Sequence, residues 1–362
     1  MVEMKADWLE SPEAIGAVDA IFAGVGLEHG RRVTRAGSWK DGERVKQAIG
    51  GLPPASSPAA SGKAARLVAG VVRVPQWERW PWLRAGFSTR QGGGSTAYGD
   101  GEQNLGWTNE DEAETVAQNR ARFVRAVAGK NKVELVTIRQ FHSGMIRTID
   151  AEHTSLATAD GKAVLRGDGL MTDVSGLLLG VQTADCVPVL LADTRTRAVA
   201  AFHAGWRGTL ARTVERGVGT MQLRYGSRAK DLVAAIGPAI GACCFAVGEE
   251  VRFDFESQFA YAPKLFSEVY DSDPVREKYP LLFMTARAPG HSNLGPQIHL
   301  DLVEANRRQL MDAGVAEKKI SVVGECTACT RLRNGTRKYF SHRAEHGYAG
   351  RMLSVIGIAE GC

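Results

Sequence analysis

Three short apolar runs rich in β-forming residues follow one another in the middle of this 362-residue chain. They span residues 176–181, 187–191 and 198–203, with the polar corner 183–186 and the turn-like stretch 193–197 between them. Runs of this length, bounded by polar turns, are typical of buried strands. The middle of the chain is therefore predicted to form closely connected strands of a buried sheet.

Sequence patterns on both sides of these runs predict further elements. Apolar residues recur at helical spacing in four segments and form short β-rich runs in three others. The helices are predicted at 110–128, 209–225, 248–259 and 300–313, and the strands at 231–236, 320–324 and 352–358. Without any visible internal repeat, this mixture predicts an α/β or α+β fold with a mixed sheet.

Polar residues with metal-binding side chains stand at the ends of the predicted strands. Cys186 closes the polar corner, His203 ends the third apolar run, and His142 lies further upstream. Two imidazoles and a thiolate suit Zn²⁺, and three protein ligands leave the fourth tetrahedral position open. Their spacing is not a local metal signature, so only folding brings them together. We predict a catalytic metal site, with ordinary buried or hydrogen-bonded residues as the alternative.

The turn after His203 predicts the start of a helix. Gly205 and Arg207 precede Thr209, a good N-cap, and apolar residues then recur at helical spacing. These apolar positions are Leu210, Val214, Val218 and Met221. Free N–H groups at a helix start, together with the cationic Arg207, suit an anion such as phosphate. An ordinary capped helix with an exposed arginine fits the same residues.

Nine short motifs carry a resemblance to a known family. They stand at 86–93, 104–106, 140–143, 183–188, 203–209, 236–245, 301–302 with 306, 340–343, and 350–352. In this order they strongly resemble the YfiH-like family, also called laccase-domain or multicopper polyphenol oxidase, from about residue 71 to the C terminus. The sequence departs from the family pattern at Phe141, where a valine is usual, and at Ala344, where a second arginine is usual.

The resemblance implies a fold, a metal and an activity. The implied fold is a layered α/β/β/α sandwich with mixed sheets. The implied ligands of zinc are His142, Cys186 and His203, with copper as the other metal to consider. The implied activity is phosphorolysis of adenosine, inosine and methylthioadenosine to the free base and ribose 1-phosphate or methylthioribose 1-phosphate, with adenosine deaminase activity beside it.

Four other polar residues are predicted to serve this chemistry. Arg90, Asn104 and Arg207 are placed near phosphate or ribose, and Asp185 and Arg207 are the candidate catalytic groups. Asp185 would act as an acid or base or orient a metal ligand, or it would only cap the backbone of its own corner.

Other functions use some of the same residues. A Cys–His hydrolase would use Cys186 as its nucleophile, and a non-enzymatic protein would bind metal without turnover. A multicopper oxidase needs paired histidines in H-x-H form, and none of the eight histidines is two residues from another. A role in editing peptidoglycan precursors, linked to some family members, is neither supported nor opposed by these residues.

Charge and cysteine content bear on the expected binding partners and cellular location. The formal net charge of +5 is spread along the chain, so nucleic acid binding is not supported. The partners are expected to be purine nucleosides and phosphate, and the oligomeric state is left open. The six cysteines do not form a disulfide framework, which favours the cytoplasm.

A second metal site has to be considered near the C terminus. Cys326 and Cys329 form a C-x2-C pair, and His342 and His346 follow at zinc-finger spacing. We favour a metal-free interpretation, because the family resemblance already accounts for these stretches. No role is assigned to Cys243 and Cys244.

The N-terminal part is predicted to be an extension. Residues 1–62 end in the Pro/Ser/Ala linker 52–62, and the head before it is either a small accessory segment or disordered. The YfiH-like catalytic domain is predicted at 71–362. The N terminus has neither a signal peptide pattern nor a membrane span.

Overall fold

The computed structural model describes residues 66–68, 70–152, 156–157, 161–269 and 297–360. The predicted N-terminal extension, 1–62, lies outside the described residues. Strands β1 to β16 are Arg66–Val68, Val71–Arg73, Leu83–Ser88, Gln91–Ser95, Glu134–Thr137, Ile146–Thr148, Gly169–Thr172, Leu177–Thr183, Val187–Asp193, Val199–Ala204, Leu232–Ile236, Ala246–Val247, Phe266–Val269, Gln297–Leu300, Ile320–Val322 and Met352–Ile358. Helices α1 to α5 are Ala113–Ala128, Trp206–Leu210, Thr213–Tyr225, Glu249–Gln258 and Leu302–Asp312.

Fifteen of the sixteen described strands form two large mixed sheets and one small sheet, and β4 pairs through isolated bridges to Glu102. The first large sheet has the order β1-β2-β3-β16-β8-β5, and the second has the order β15-β11-β9-β10-β7-β6. Each contains parallel pairs among antiparallel ones: β5 with β8 in the first, and β6 with β7 and β11 with β15 in the second. The small sheet has the order β12-β14-β13.

Alternating side chains divide the interior into three apolar layers. In β8, Leu178 packs in the cluster beneath α1, whereas Leu179 packs between the two large sheets. In β9, Leu190 faces the same layer between the sheets, whereas Leu191 packs against the helices on the far side. This alternation is the period of two of a strand buried on both faces. The predicted layered α/β/β/α sandwich is confirmed.

One predicted helix start is wrong. Thr209 is not an N-cap: α2 already begins at Trp206, with Gly205 in extended conformation before it, and the Thr209 hydroxyl donates a hydrogen bond to the carbonyl oxygen of Gly205 at 3.0 Å. The predicted single helix is also interrupted, because Arg212 adopts a left-handed φ of 54° between α2 and α3. Strand β10 ends at Ala204, and α2 begins two residues later at Trp206. The helix therefore starts directly after Gly205, before the chain reaches the hydroxyl of Thr209.

The two large sheets are connected where the metal ligands were predicted. The corner 184–186 leaves β8 of the first sheet and enters β9 of the second. Strand β10 runs antiparallel to β9, with His203 opposite Pro188 and Ala204 opposite Val187. This register places the C-terminal end of β10 beside Cys186. Among the described helices, none has the length and apolar character needed to cross a membrane.

Helix α3 packs on β10 through a glycine, which gives a test of the layer packing. A Cβ added at Gly217 would lie 2.3 Å from Cζ of the fully buried Phe202, whereas one added at Gly219 meets nothing within 4 Å. We expect Gly217→Ala to lower the free energy of unfolding by about 1–3 kcal/mol through overpacking. The matched variant Gly219→Ala is expected to raise it by up to about 1 kcal/mol, because alanine favours the helix. Denaturant unfolding of the full chain measures both, and equal effects would contradict the described packing.

Candidate metal centre

A buried carboxylate organises the loop that carries His142. Asp168, which is fully buried, accepts hydrogen bonds from the backbone N–H of His142 at 3.0 Å and from the backbone N–H and hydroxyl of Ser143 at 2.6 and 2.7 Å. His142 itself has a left-handed φ of 63°. A histidine adopts this conformation infrequently, and the hydrogen bonds to the carboxylate hold the backbone in it.

The same carboxylate orients the second histidine. Oδ1 of Asp168 lies 2.8 Å from Nδ1 of His203, and the backbone N–H of His203 donates to the carbonyl oxygen of Asp168 at 2.8 Å. With Nδ1 engaged by the carboxylate, Nε2 of His203 is the nitrogen left for a metal. Burial opposes ionisation of Asp168, but the hydrogen bonds from His203 and Ser143 hold the pKa of this carboxyl below its ordinary value.

Asp168 is the main site residue that the sequence reasoning missed. The available signal was a lone acidic residue between Gly167 and Gly169, immediately before a short apolar strand.

Gln140 is a second missed residue. Its side-chain amide donates to the carbonyl oxygen of Gln182 and accepts from the N–H of Gln182, both at 2.7 Å, which ties the loop before His142 to β8.

Cys186 is held by a strained corner. Asp185, the residue before it, has a φ of 97°, a region that residues other than glycine rarely adopt. Its backbone carbonyl accepts from the N–H of Ile240 at 2.8 Å, while its carboxylate accepts from the Thr327 hydroxyl at 2.6 Å and the Arg343 N–H at 2.7 Å. These three bonds fix the conformation of the corner and therefore the direction of the Cys186 side chain.

The three predicted ligands lie together. Ligand atoms of His142, Cys186 and His203 are within 4.8 Å of one another, and the imidazole centroids are 5.0 Å apart. A tetrahedral ion with bonds of about 2.0–2.3 Å holds its ligands roughly 3.3–3.8 Å apart, so small side-chain movements complete such a site. His203 is buried, Cys186 is half-buried and His142 is exposed, which leaves one side open to solvent. A Cys/His cluster that is able to bind a metal ion is thus present.

Glycine is required beside this cluster. A Cβ added at Gly205 would lie 2.9 Å from Sγ of Cys186 and 3.1 Å from Cδ2 of His142. The space that an alanine would fill is the space in which the two ligands converge. The residue at which the chain passes from β10 into α2 thus also makes room for the metal-binding side chains.

Without metal, the cluster is an ion pair. Burial disfavours the thiolate of Cys186, but the charge of His203 and the hydrogen bonds from His142 and His203 outweigh burial and lower the pKa of this thiol to about 6. Burial likewise opposes protonation of His203, yet the Cys186 thiolate and the Asp168 carboxylate raise the pKa of this imidazole to about 9. A thiolate at neutral pH is ready either to bind a metal or to act as a nucleophile.

Two residues predicted to bind substrate already have protein partners. Arg90 is buried and forms ion pairs with Glu102 at 2.6 Å and Glu345 at 2.9 Å. Asn104 is fully buried, and its amide donates to Asp111 at 2.9 Å and accepts from the backbone N–H of Arg351 at 2.9 Å. None of these bonds involves the three metal-binding side chains. The substrate-binding roles of Arg90 and Asn104 stay predictions.

The two predicted catalytic residues differ in environment. Arg207 is exposed in α2, four residues after His203, and its guanidinium lies 4.2 Å from the centroid of the Trp206 ring. Asp185 is buried, and both of its carboxylate oxygens have partners within the protein. Arg207 is thus accessible to a ligand, whereas the contacts of Asp185 are those of a residue that shapes the corner. Both catalytic roles stay predictions.

Comparison with known proteins identifies relatives of this chain and of its fold. The family model described as multi-copper polyphenol oxidoreductase laccase matches residues 84–359. The chain is 32% identical over 296 residues to purine nucleoside phosphorylase YlmD of Geobacillus stearothermophilus, covering 79% of this chain and 97% of YlmD. It is 33% identical over 224 residues to adenosine deaminase RL5 from an unknown prokaryotic organism, covering 62% of this chain and 74% of that protein. The crystal structure of the hypothetical protein YfiH of Bacillus licheniformis matches with a TM-score of 0.65 and 29% identity, covering 80% of this chain and 97% of that one.

Asp168 gives a direct test of how the site is organised. We expect Asp168→Asn to weaken zinc binding by about 10–100-fold, because the carboxylate fixes the orientation of His203 and the backbone of His142. Competition with a chromogenic chelator measures the affinity. Asp150→Asn, which removes an exposed carboxylate paired with Arg224, is the matched control and should leave the affinity unchanged. Equal affinities for the two variants would show that Asp168 does not organise the centre.

The thiol of Cys186 gives a second test. In chelator-treated protein we expect alkylation of Cys186 by iodoacetamide to follow a pKa of about 6. The rate should stay high at pH 7 and fall as pH drops below 6, whereas the thiol of unfolded protein loses reactivity already below its ordinary pKa of about 8.5. Zinc should protect the residue. Peptide mapping by mass spectrometry isolates this cysteine, and a native profile centred near 8.5 would contradict the ion pair.

Proposed function

This chain belongs to the YfiH-like, laccase-domain family, and from that premise we propose that it is a zinc-dependent purine nucleoside enzyme. Its proposed reaction is phosphorolysis of adenosine, inosine and methylthioadenosine, with deamination of adenosine as a second activity. The observation that carries the proposal is that ligand atoms of His142, Cys186 and His203 converge in a cluster that is open to solvent on one side. The names of the curated relatives YlmD and RL5 support the substrate class and both reactions.

The ligand set supports zinc as the metal. Two imidazoles and a thiolate are donors that zinc prefers, and three protein ligands leave a position for water or substrate. When bound, zinc would lower the pKa of a water molecule to about 7 or polarise a substrate atom. The chain itself supplies the geometry, because Asp168 holds the imidazole of His203 by its Nδ1 atom and the backbone of His142 by its N–H.

Phosphorolysis also requires a cation for phosphate. A phosphate oxygen bonds to C1′ of the ribose while the C1′–N9 bond breaks, and the departing base takes up a proton. Arg207 is the best-placed group for this anion, since it is exposed and lies on the helix that starts just after His203. The role of Arg90 is weaker, because its guanidinium is already neutralised by Glu102 and Glu345.

An exposed aromatic residue next to the metal ligand supports a purine substrate. Phe141 is 41% exposed and directly precedes His142. A planar base stacks favourably on such a ring. The guanidinium of Arg166 lies 5.1 Å from the centroid of the same ring and adds a planar cation beside it. We assign the base to this part of the site and the phosphate to the side of Arg207.

Arg207→Met is the sharpest test of the proposed reaction. Zinc-loaded protein is incubated with inosine and phosphate, and with adenosine in the presence and absence of phosphate, and the products hypoxanthine, adenine and inosine are separated. We expect Arg207→Met to lower phosphorolysis about 10–100-fold, because a charge-assisted contact is worth roughly 1.5–3 kcal/mol. Deamination, which consumes water and not phosphate, should fall less.

The controls separate the roles of the arginines. Arg224→Met removes an exposed cation paired with Asp150 and should leave both reactions unchanged. Arg90→Met tests the predicted phosphate role of Arg90, which also requires a larger loss of phosphorolysis than of deamination. Equal loss of both reactions in Arg207→Met would assign this residue to nucleoside binding or folding. Absence of every product from zinc-loaded protein would refute the proposed function.

A Cys–His hydrolase is the second candidate, favoured by the thiolate at Cys186 beside His203. In that mechanism the free thiolate attacks the substrate, so zinc must inhibit and chelator must activate. The proposed purine nucleoside chemistry requires the opposite response. Copper-dependent polyphenol oxidation is not supported, since it needs histidine pairs that the sequence lacks.

The predictions of cellular location and domain organisation are retained as proposals. We propose that the protein is cytoplasmic, that residues 1–62 are an N-terminal extension, and that residues 71–362 are a separate catalytic domain. The part of the chain that the structure describes begins with β1, which pairs with β2 at the edge of the first sheet. A role in editing peptidoglycan precursors gains no support from the described site.

A further inference from the structure

Four cysteines converge away from the centre described above. Sγ atoms of Cys243, Cys244, Cys326 and Cys329 all lie within 4.8 Å of one another, and those of Cys243 and Cys329 are 3.6 Å apart. None of the four is in a disulfide. The sequence had suggested His342 and His346 as partners of the C-x2-C pair, but both are exposed and neither belongs to this cluster.

Backbone contacts bring the two cysteine pairs together. Ala239 and Cys326 form a parallel β-bridge, and the N–H of Thr327 donates to the carbonyl oxygen of Ala239 at 3.0 Å. The N–H of Gly241 donates to Sγ of Cys326 at 3.3 Å. A Cβ on Gly241 would lie 3.2 Å from Sγ of Cys243. The segments 237–245 and 324–330 are thus folded against each other with the thiols on their shared side.

We infer that Cys243, Cys244, Cys326 and Cys329 form a second zinc site, closed and structural, in addition to the proposed catalytic one. Zinc–sulfur bonds of about 2.3 Å place the sulfur atoms of a tetrahedral site roughly 3.8 Å apart, which lies within the spacing found here. Four thiolates are soft ligands that select zinc over magnesium or calcium. They fill all four positions and leave none for a substrate.

The chemistry of the surroundings fits a metal better than four free thiols. Cys326 is buried within a small apolar cluster with Ile240 and Ala328, whereas Cys243 and Cys329 are exposed. A backbone N–H directed at sulfur, as from Gly241, is the kind of contact that orients a thiolate ligand. The metal-free interpretation favoured on sequence did not include Cys243 and Cys244, which only the folded chain places beside the C-x2-C pair.

This second site would position the catalytic corner. The segment 237–245 holds Asp185 through the N–H of Ile240, and the segment 324–330 holds it through the hydroxyl of Thr327. Asp185 directly precedes the ligand Cys186. A metal that clamps the two segments therefore also fixes the strained backbone from which Cys186 projects.

The test is metal content of the full chain, purified after expression with added zinc and measured by mass spectrometry of the metal. We expect about two zinc ions per chain. Cys186→Ala/His203→Ala should retain one, and Cys243→Ser/Cys329→Ser should lose one. The control His342→Ala/His346→Ala should retain two, whereas loss of one zinc in this control would restore the histidines as ligands and overturn the assignment.

Cobalt gives an independent measurement that does not require the cysteine variant to fold. Cys186→Ala/His203→Ala loaded with Co²⁺ should show strong thiolate-to-cobalt charge-transfer absorption and tetrahedral d–d bands, and bound metal should protect the four cysteines from iodoacetamide. Absence of bound metal in this variant, or a disulfide among the four cysteines in its peptide map, would overturn the inference. Since this variant lacks two ligands of the first centre, the outcome does not depend on the proposed function.

Discussion

The hydrogen bonds of one buried carboxylate hold the candidate metal centre together. Asp168 binds the backbone of His142 and Ser143 with one set of bonds and the imidazole of His203 with another. These partners come from a loop after β5 and from the end of β10, which lie in different large sheets. A buried charge is tolerated because every bond to it comes from a polar group in the same centre. Without it, the Nδ1 atom of His203 and the backbone N–H groups of His142 and Ser143 lose the acceptor they share.

Most of the fold was accessible from the sequence. The strands β8, β9 and β10 follow from short apolar runs between polar corners, and the burial of Val214 and Val218 follows from their helical spacing. The exact start of the helix after β10 was not accessible, because Gly205 lacks the capping side chain that usually marks a start. The break at Arg212 also carries no signal, since arginine is not a residue type that marks the left-handed conformation it adopts there.

Part of the candidate site could be predicted from the chemistry of individual side chains, whereas the fold was predicted from apolar patterns. His142, Cys186 and His203 carry side chains whose chemistry points to a metal, although their spacing does not. Asp168 was missed because an isolated aspartate has many common roles, and only tertiary structure shows which N–H groups surround it. The pairing of Cys243 and Cys244 with the C-x2-C motif was missed because the β-bridge between Ala239 and Cys326 joins segments far apart in sequence.

The corner before Cys186 is one of the connections that carry the chain from the first large sheet to the second. Cys186 lies on this connection, and His203 lies at the end of a strand of the second sheet. An ion bound by both side chains would therefore restrain the connection between the two sheets. Any ligand that binds only the folded chain adds to its stability, by about 2.7 kcal/mol when its free concentration is 100 times its dissociation constant. If this centre binds its ion as proposed, the thermal stability of the chain depends on the supply of that metal, and loss of the ion would lower stability and activity together.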